Sequence, residues 1–128
     1  MSSNFTDLVT KAQEGIEVLD CNAAHAALKE NPNTLILDVR DEGDLGLTGI
    51  IPGTVNVSMG TLYFKADHNM PAEFQDPRLG DKEQPIITTC TLGAVASIAS
   101  LYSYSPVAGF LTSCNTIILY SVCSPLLG

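Results

Sequence analysis

The chain has no tryptophan, only 6 lysines and arginines together, and only 2 histidines. The shortage of basic residues closes off a class of function. With 14 aspartates and glutamates the formal net charge is −8. Nucleic acid and anionic membrane surfaces reward basic patches, so neither is an expected partner. The 4 cysteines, Cys21, Cys90, Cys114 and Cys123, show no C-x-x-C or Cys/His spacing, so no metal site is expected and no cofactor is implied. A disulfide scaffold is also disfavoured in a chain with this much ordinary core material, and free thiols in a reducing cytoplasm are the expectation. Met1-Ser2-Ser3-Asn4 offers neither a basic nor an apolar signal-peptide region, which fits the same cytoplasmic expectation.

A second absence is positional. Every charged residue lies at or before Glu83, and Gln84 to Gly128 contains no Asp, Glu, Lys, Arg or His. Within it, Val107 to Leu127 is apolar and long enough to raise a membrane span. Asn115, several serines and Pro125 interrupt that window, and no basic residue flanks it, so membrane association is not expected. The other readings of this tail are a core-filling end to the fold and an appendage that packs poorly.

What is present reads as one α/β domain, and 128 residues suffice to bury a core. Phe5, Leu8, Val9 and Ala12 recur at helical spacing, which predicts a helix over 4–14 with Gly15 as its stop. Ile16 to Leu19 reads as a short edge strand. Asp20 or Asn22 then caps a helix with Ala24, Ala27 and Leu28 on its apolar face, ended by Asn31-Pro32-Asn33. Thr34 to Arg40 contains the apolar run Leu35-Ile36-Leu37, of the kind found in parallel strands buried on both faces. Asp41 to Leu45 makes one helical turn, Thr48 to Thr54 a turn cluster, and Val55 to Val57 a short strand. A mixed helix-and-loop stretch follows to Asp81.

The chemistry-bearing stretch is Pro85-Ile86-Ile87-Thr88-Thr89-Cys90-Thr91-Leu92-Gly93-Ala94-Val95-Ala96-Ser97. A β-branched run delivers one cysteine to a tight turn, and an alanine-rich helix starts directly after it. Open α/β sheets bind ligands outside the carboxyl ends of their strands. The unpaired N–H groups of a helix N-terminus favour a thiolate, so Cys90 is the candidate nucleophile. Gly93 permits the close backbone approach that an N–H cradle requires. The bland alternative for Cys90 is a small buried hydrophobe at a strand end. Thr91 and Ser97 offer hydroxyl donors to a bound sulfur. Asp38 and Arg40 are candidate pocket residues; otherwise Asp38 caps the strand end and Arg40 pairs with a nearby carboxylate. His25 reads as solvent-facing, and His68 as part of a turn.

Three pieces in order resemble the rhodanese-like, or thiosulfate sulfurtransferase, family. Leu37-Asp38-Val39-Arg40 is similar to its L-I-D-V-R strand end, Gly49 to Val57 to its G-H-I-P-G-A-x-N-I segment, and Pro85 to Gly93 to its P-I-V-x-Y-C-x-x-G loop. Gly60 to Asp67 is similar to a G-M-L-E-F-x-A-D stretch of one branch. The resemblance covers about residues 14–104 of a single domain spanning 1–128, with a divergent segment over 105–128. It implies a small parallel sheet of about five strands flanked by helices. It also implies a sulfurtransferase in which Cys90 carries sulfane sulfur as a persulfide, cradled by Thr91, Leu92, Gly93, Ala94 and Val95. The partners implied are a small sulfur donor, a thiol or cyanide-like acceptor, and a protein partner in some members.

The loop departs from the family pattern in a way that bears on substrate. Thr91 and Val95 stand where the family commonly has arginine, and Ile50 stands where it has histidine. The loop therefore names no cation to recruit an anionic donor, which argues against thiosulfate. The alternative function is a catalytically weak or inactive rhodanese-like module kept for protein binding. A phosphatase-type or arsenate-reducing relative would need arginine at the end of a C-x5-R loop, and Val95-Ala96 supplies none.

Overall fold

The computed structural model describes residues 4–14, 17–19, 21–90, 94–103 and 116–119. Helix α1 spans Phe5–Glu14, strand β1 Glu17–Leu19 and helix α2 Cys21–Glu30. Strand β2 is Leu35–Asp38; a 3-10 turn over Glu42–Asp44 and the short helix α3, Leu45–Thr48, lead to β3, Val55–Asn56. Helix α4 is Met59–Lys65, and two 3-10 turns, Ala72–Phe74 and Pro77–Leu79, cross to β4, Ile86–Thr89. Helix α5, Ala94–Ser103, and strand β5, Thr116–Leu119, complete the described elements.

The five strands form one sheet in the order β1-β5-β4-β2-β3, and every pairing is parallel. Its centre is the apolar, β-branched material. All four residues of β4 are buried, because helices cover both faces of a parallel sheet. The two-residue alternation of a strand divides the core. Ile86 joins Leu37, Val39, Val57, Leu62, Ala96 and Ala99 on the face covered by α4 and α5. Ile87 joins Leu19 and Ala24 on the face covered by α2, with Ala27 and Leu28 packed against them.

The edge position of β1 matches its sequence reading, and the β5 strand gives the uncharged tail a structural role. Thr116–Leu119 pairs with β1 on one side and with β4 on the other. A segment with no charged side chain suits a strand flanked on both sides. The rest of residues 105–128, with Cys114 and Cys123, lies outside the described residues, as do Gly15 and Asp20. Among the described residues no helix is long and apolar enough to cross a membrane.

Several boundaries differ from the sequence reading. Asn22 lies inside α2 rather than capping it, since that helix begins at Cys21. β2 stops at Asp38, where the Asp38 side chain takes the next free backbone N–H, that of Arg40. The helical turn expected to end at Leu45 runs on through Thr48, ending at Gly49 with φ 86°, a value that favours glycine. His25 is half-buried rather than fully solvent-facing.

Candidate active site

The strand order sets the location of the site. From β2 the chain moves outward to β3, and from β4 it moves the other way to β5, yet β2 and β4 are neighbours. Adjacent parallel strands whose following connections leave in opposite directions open a crevice at their carboxyl ends. The register pairs Asp38 with Thr89, and the Val39 N–H donates to the Thr89 carbonyl at 3.0 Å. Cys90 follows β4 by one residue and Arg40 follows β2 by two. The backbone thus brings Cys90 and Arg40 to the same end of two adjacent strands.

Cys90 forms no disulfide and is buried, 8% exposed. Its sulfur accepts the backbone N–H of Ala96 at 3.3 Å. This follows from helix geometry: the first N–H groups of α5 have no carbonyl partner within the helix. A sulfur at the end of β4 occupies the place that a capping oxygen takes elsewhere. The alternation of β4 brings the sulfur there, since Ile86, Thr88 and Cys90 all face α5. Ala96 and Ala99 are wholly buried on that helix, and side chains this small let the helix backbone approach the strand.

Arg40 and Asp38 form a two-pronged ion pair. Arg40 Nη2 lies 2.7 Å from Asp38 Oδ2, and Nε lies 3.1 Å from both carboxylate oxygens. Nη2 also donates to the Gly49 carbonyl at 2.7 Å, tying the pair to the turn before β3. The Asp38 hydrogen bond is the main reason that Arg40 is held protonated above its ordinary range. Burial opposes that rise, while the negative charges of Asp38, of a Cys90 thiolate and of Asp44 reinforce it. The pair closes the end of β2, and the Arg40 guanidinium interacts electrostatically with Cys90.

Asn56 completes this corner. Its Nδ2 donates to the Asp38 carbonyl at 3.0 Å and to the Arg40 carbonyl at 2.9 Å, bridging β3 to the turn that carries the guanidinium. Ser58 donates to Asp41 just beyond. Asp41, Glu42 and Asp44 are exposed, so the rim beside Arg40 is acidic.

Of the cradle expected after Cys90, Thr91, Leu92 and Gly93 lie outside the described residues, and Ala94 is described only as the start of α5. Val95 is half-buried and packs against the core cluster that contains Cys90. Ala96, one residue beyond the expected set, donates its N–H to the sulfur. Ser97 is fully buried and its hydroxyl accepts the Gln13 side-chain N–H at 3.0 Å, which ties it to α1. His68 is bound to the Leu79 carbonyl, 2.8 Å from Nε2, in the connection between α4 and β4. The sequence reading missed Asn56, Thr88 and Gln13. The two-residue alternation backwards from Cys90 would have placed Thr88 on the α5 face; nothing local marks Gln13. Among the described residues no group of His, Cys, Asp and Glu is arranged to hold a metal ion.

A parallel α/β sheet with a cysteine at its switch point and a helix N–H on the sulfur defines a class of small thiol-bearing domains. Within that class the chain belongs to the rhodanese-like domain family, whose family model matches residues 22–120. No curated protein matches by sequence. Among solved structures, it is similar to a Rhodopseudomonas palustris protein of unknown function described as a possible tyrosine phosphatase. That match has a TM-score of 0.74 and 20% identity, over 94% of this chain and 86% of that one. The single-domain sulfurtransferase of Saccharomyces cerevisiae matches with a TM-score of 0.60 and 21% identity, over 81% of this chain and 82% of that one. A 3-mercaptopyruvate sulfotransferase of Escherichia coli matches with a TM-score of 0.51 and 21% identity, over 83% of this chain and 40% of that one.

Proposed function

We propose that the protein is a sulfurtransferase that carries sulfane sulfur on Cys90. The observation that carries this reading is the 3.3 Å contact from the Ala96 N–H to the Cys90 sulfur at the sheet's switch point. A backbone donor of this kind stabilises a thiolate and a persulfide anion alike. The first step is attack of the Cys90 thiolate on the outer sulfur of a persulfide, R–S–SH. A Cys90 S–S bond forms, the donor's S–S bond breaks, and the donor leaves as R–S⁻. In the second step an acceptor thiolate, or cyanide, attacks the terminal sulfur, and the Cys90 thiolate returns as leaving group. Each step moves one sulfur and one electron pair, and no outside oxidant or reductant is needed.

Family membership and the similarity to sulfurtransferases support the class of reaction. The charge of the site bears on the substrate. The one described cation beside Cys90 is Arg40, already engaged by Asp38, and the rim beyond it carries Asp41, Glu42 and Asp44. A dianion such as thiosulfate meets repulsion there, whereas a thiol-derived persulfide carries at most one negative charge at its reacting end. A phosphatase reading lacks its central group, because Ala96 stands at the C-x5-R arginine position and is wholly buried.

The test is turnover with two donors. The wild type should move sulfur from a glutathione persulfide to cyanide faster than from thiosulfate at equal concentration, and Cys90→Ala should do neither. If no donor yields turnover above that of Cys90→Ala, the reading fails and the binding-module alternative gains.

A further inference from the structure

Thr88 is buried on β4, two residues before Cys90 and on the same face of the strand. Its Oγ1 donates to the Ala96 carbonyl at 3.0 Å. Ala96 is also the residue whose N–H reaches the Cys90 sulfur. One strand thus holds one helical residue at two points: the hydroxyl of Thr88 grips its carbonyl, and the sulfur of Cys90 receives its N–H. We infer that Thr88 is a positioning residue for the sulfur site, fixing the first turn of α5 against β4 so that the Ala96 N–H stays directed at Cys90.

The physical reason that this is more than core packing lies in the helix ladder. The Ala96 carbonyl sits inside α5, where the N–H of Ser100 is its regular i+4 donor. The fold does not need a second donor there to satisfy that oxygen. A buried threonine is also a costly choice over valine, which has the same shape, unless its hydroxyl is used. What the hydroxyl adds is a lateral tie between helix and strand at the level of the sulfur. Ala96 and Ala99 also pack in the core cluster with Ile86 and Cys90, and apolar contacts of that kind are non-directional. An N–H to sulfur contact depends on distance and angle, so it is the interaction that a small helix shift weakens first.

The inference rests on the reading of Cys90 as the reactive sulfur, and its test separates the two. Thr88→Val keeps the volume and removes the hydroxyl; Thr88→Ser keeps the hydroxyl. The charged group that interacts with the sulfur, Arg40, and the carboxylates of Asp38 and Asp44 that act on Arg40 are the same in both variants. The pH profile of Cys90 alkylation by iodoacetamide is followed on folded protein, each rate being that of the chain minus that of its Cys90→Ala counterpart. Thr88→Val should shift the profile to higher pH and slow alkylation on its acid side by about 3- to 10-fold, the range that one hydrogen bond spans. Thr88→Ser should restore the wild-type profile. Superimposable profiles for Thr88→Val and wild type would overturn the inference, whatever the change in melting temperature. A loss in Thr88→Val that Thr88→Ser fails to restore would also overturn it. Sulfur transfer by the wild type is scored separately, so its absence counts against the Cys90 reading and not against Thr88.

Discussion

Asp38 and Arg40 lie two residues apart at the end of β2 and form an ion pair with side chains only 3% and 10% exposed. Two charges removed from water this far are stable only while both remain. Arg40→Met should therefore destabilise the fold by about 3–5 kcal/mol, because it leaves the Asp38 carboxylate buried without its cation. The double variant Asp38→Asn/Arg40→Met should recover much of that loss. Urea unfolding of the three chains measures it, and equal losses in single and double variants would contradict the coupling.

Asn56 makes a prediction about donors rather than volume. Its amide faces the carbonyls of Asp38 and Arg40, both of which can only accept. Asn56→Asp is nearly isosteric but places a carboxylate against two carbonyl oxygens. It should be more damaging than Asn56→Ala, with a loss of at least about 1–3 kcal/mol for the unsatisfied groups. If Asn56→Asp unfolds at the same urea concentration as wild type near neutral pH, the bridging role is wrong.

Much of this architecture was legible in the sequence, and the reasons differ by element. The apolar residues Leu35-Ile36-Leu37 and the β-branched run Ile86–Thr89 announce buried parallel strands, because covered strands need no polar alternation. Cys90 could be located at the carboxyl end of β4 from the change of pattern that follows it. Contacts that join distant parts of the chain left no local mark. Gln13 to Ser97 spans 84 positions, and the Arg40 guanidinium beside Cys90 depends on the β2–β4 register. The Ala96 N–H donor lies one residue beyond the set read from the sequence, which stopped at Val95. The readings for Thr91, Leu92 and Gly93 lie outside the described residues.

A third prediction concerns acid. Asp76 caps the 3-10 turn at Pro77–Leu79 by accepting the Arg78 N–H at 2.9 Å, and it also takes the Arg78 guanidinium at 2.6 Å. The side-chain hydrogen bond from Arg78 is the main cause holding its carboxyl below the ordinary aspartate value of 3.8. A carboxyl lowered by folding contributes stability that is present above the ordinary value and lost as pH falls through the lowered one. The stability gap between wild type and Asp76→Asn should be constant near neutral pH. It should shrink on acidification below about pH 4. A gap that widens toward acid would contradict the pairing.

The core makes a fourth. Leu62 on α4 is fully buried in the same cluster as Cys90, Ala96 and Ala99. Leu62→Ala should cost about 2–5 kcal/mol in unfolding free energy, from lost transfer energy and the cavity left behind. A change well under that range would mean that α4 does not pack on the site face as described.

The central claim is that the Cys90 sulfur, at the end of β4 under the Ala96 N–H, carries sulfur in turnover. Intact-protein mass measurement after brief exposure to a glutathione persulfide tests it most directly. The wild type should gain about 32 Da, one sulfur atom added by thiolate attack. The gain should vanish on addition of cyanide and be absent in Cys90→Ala. An unmodified wild type, or an adduct that persists in Cys90→Ala, would contradict the account.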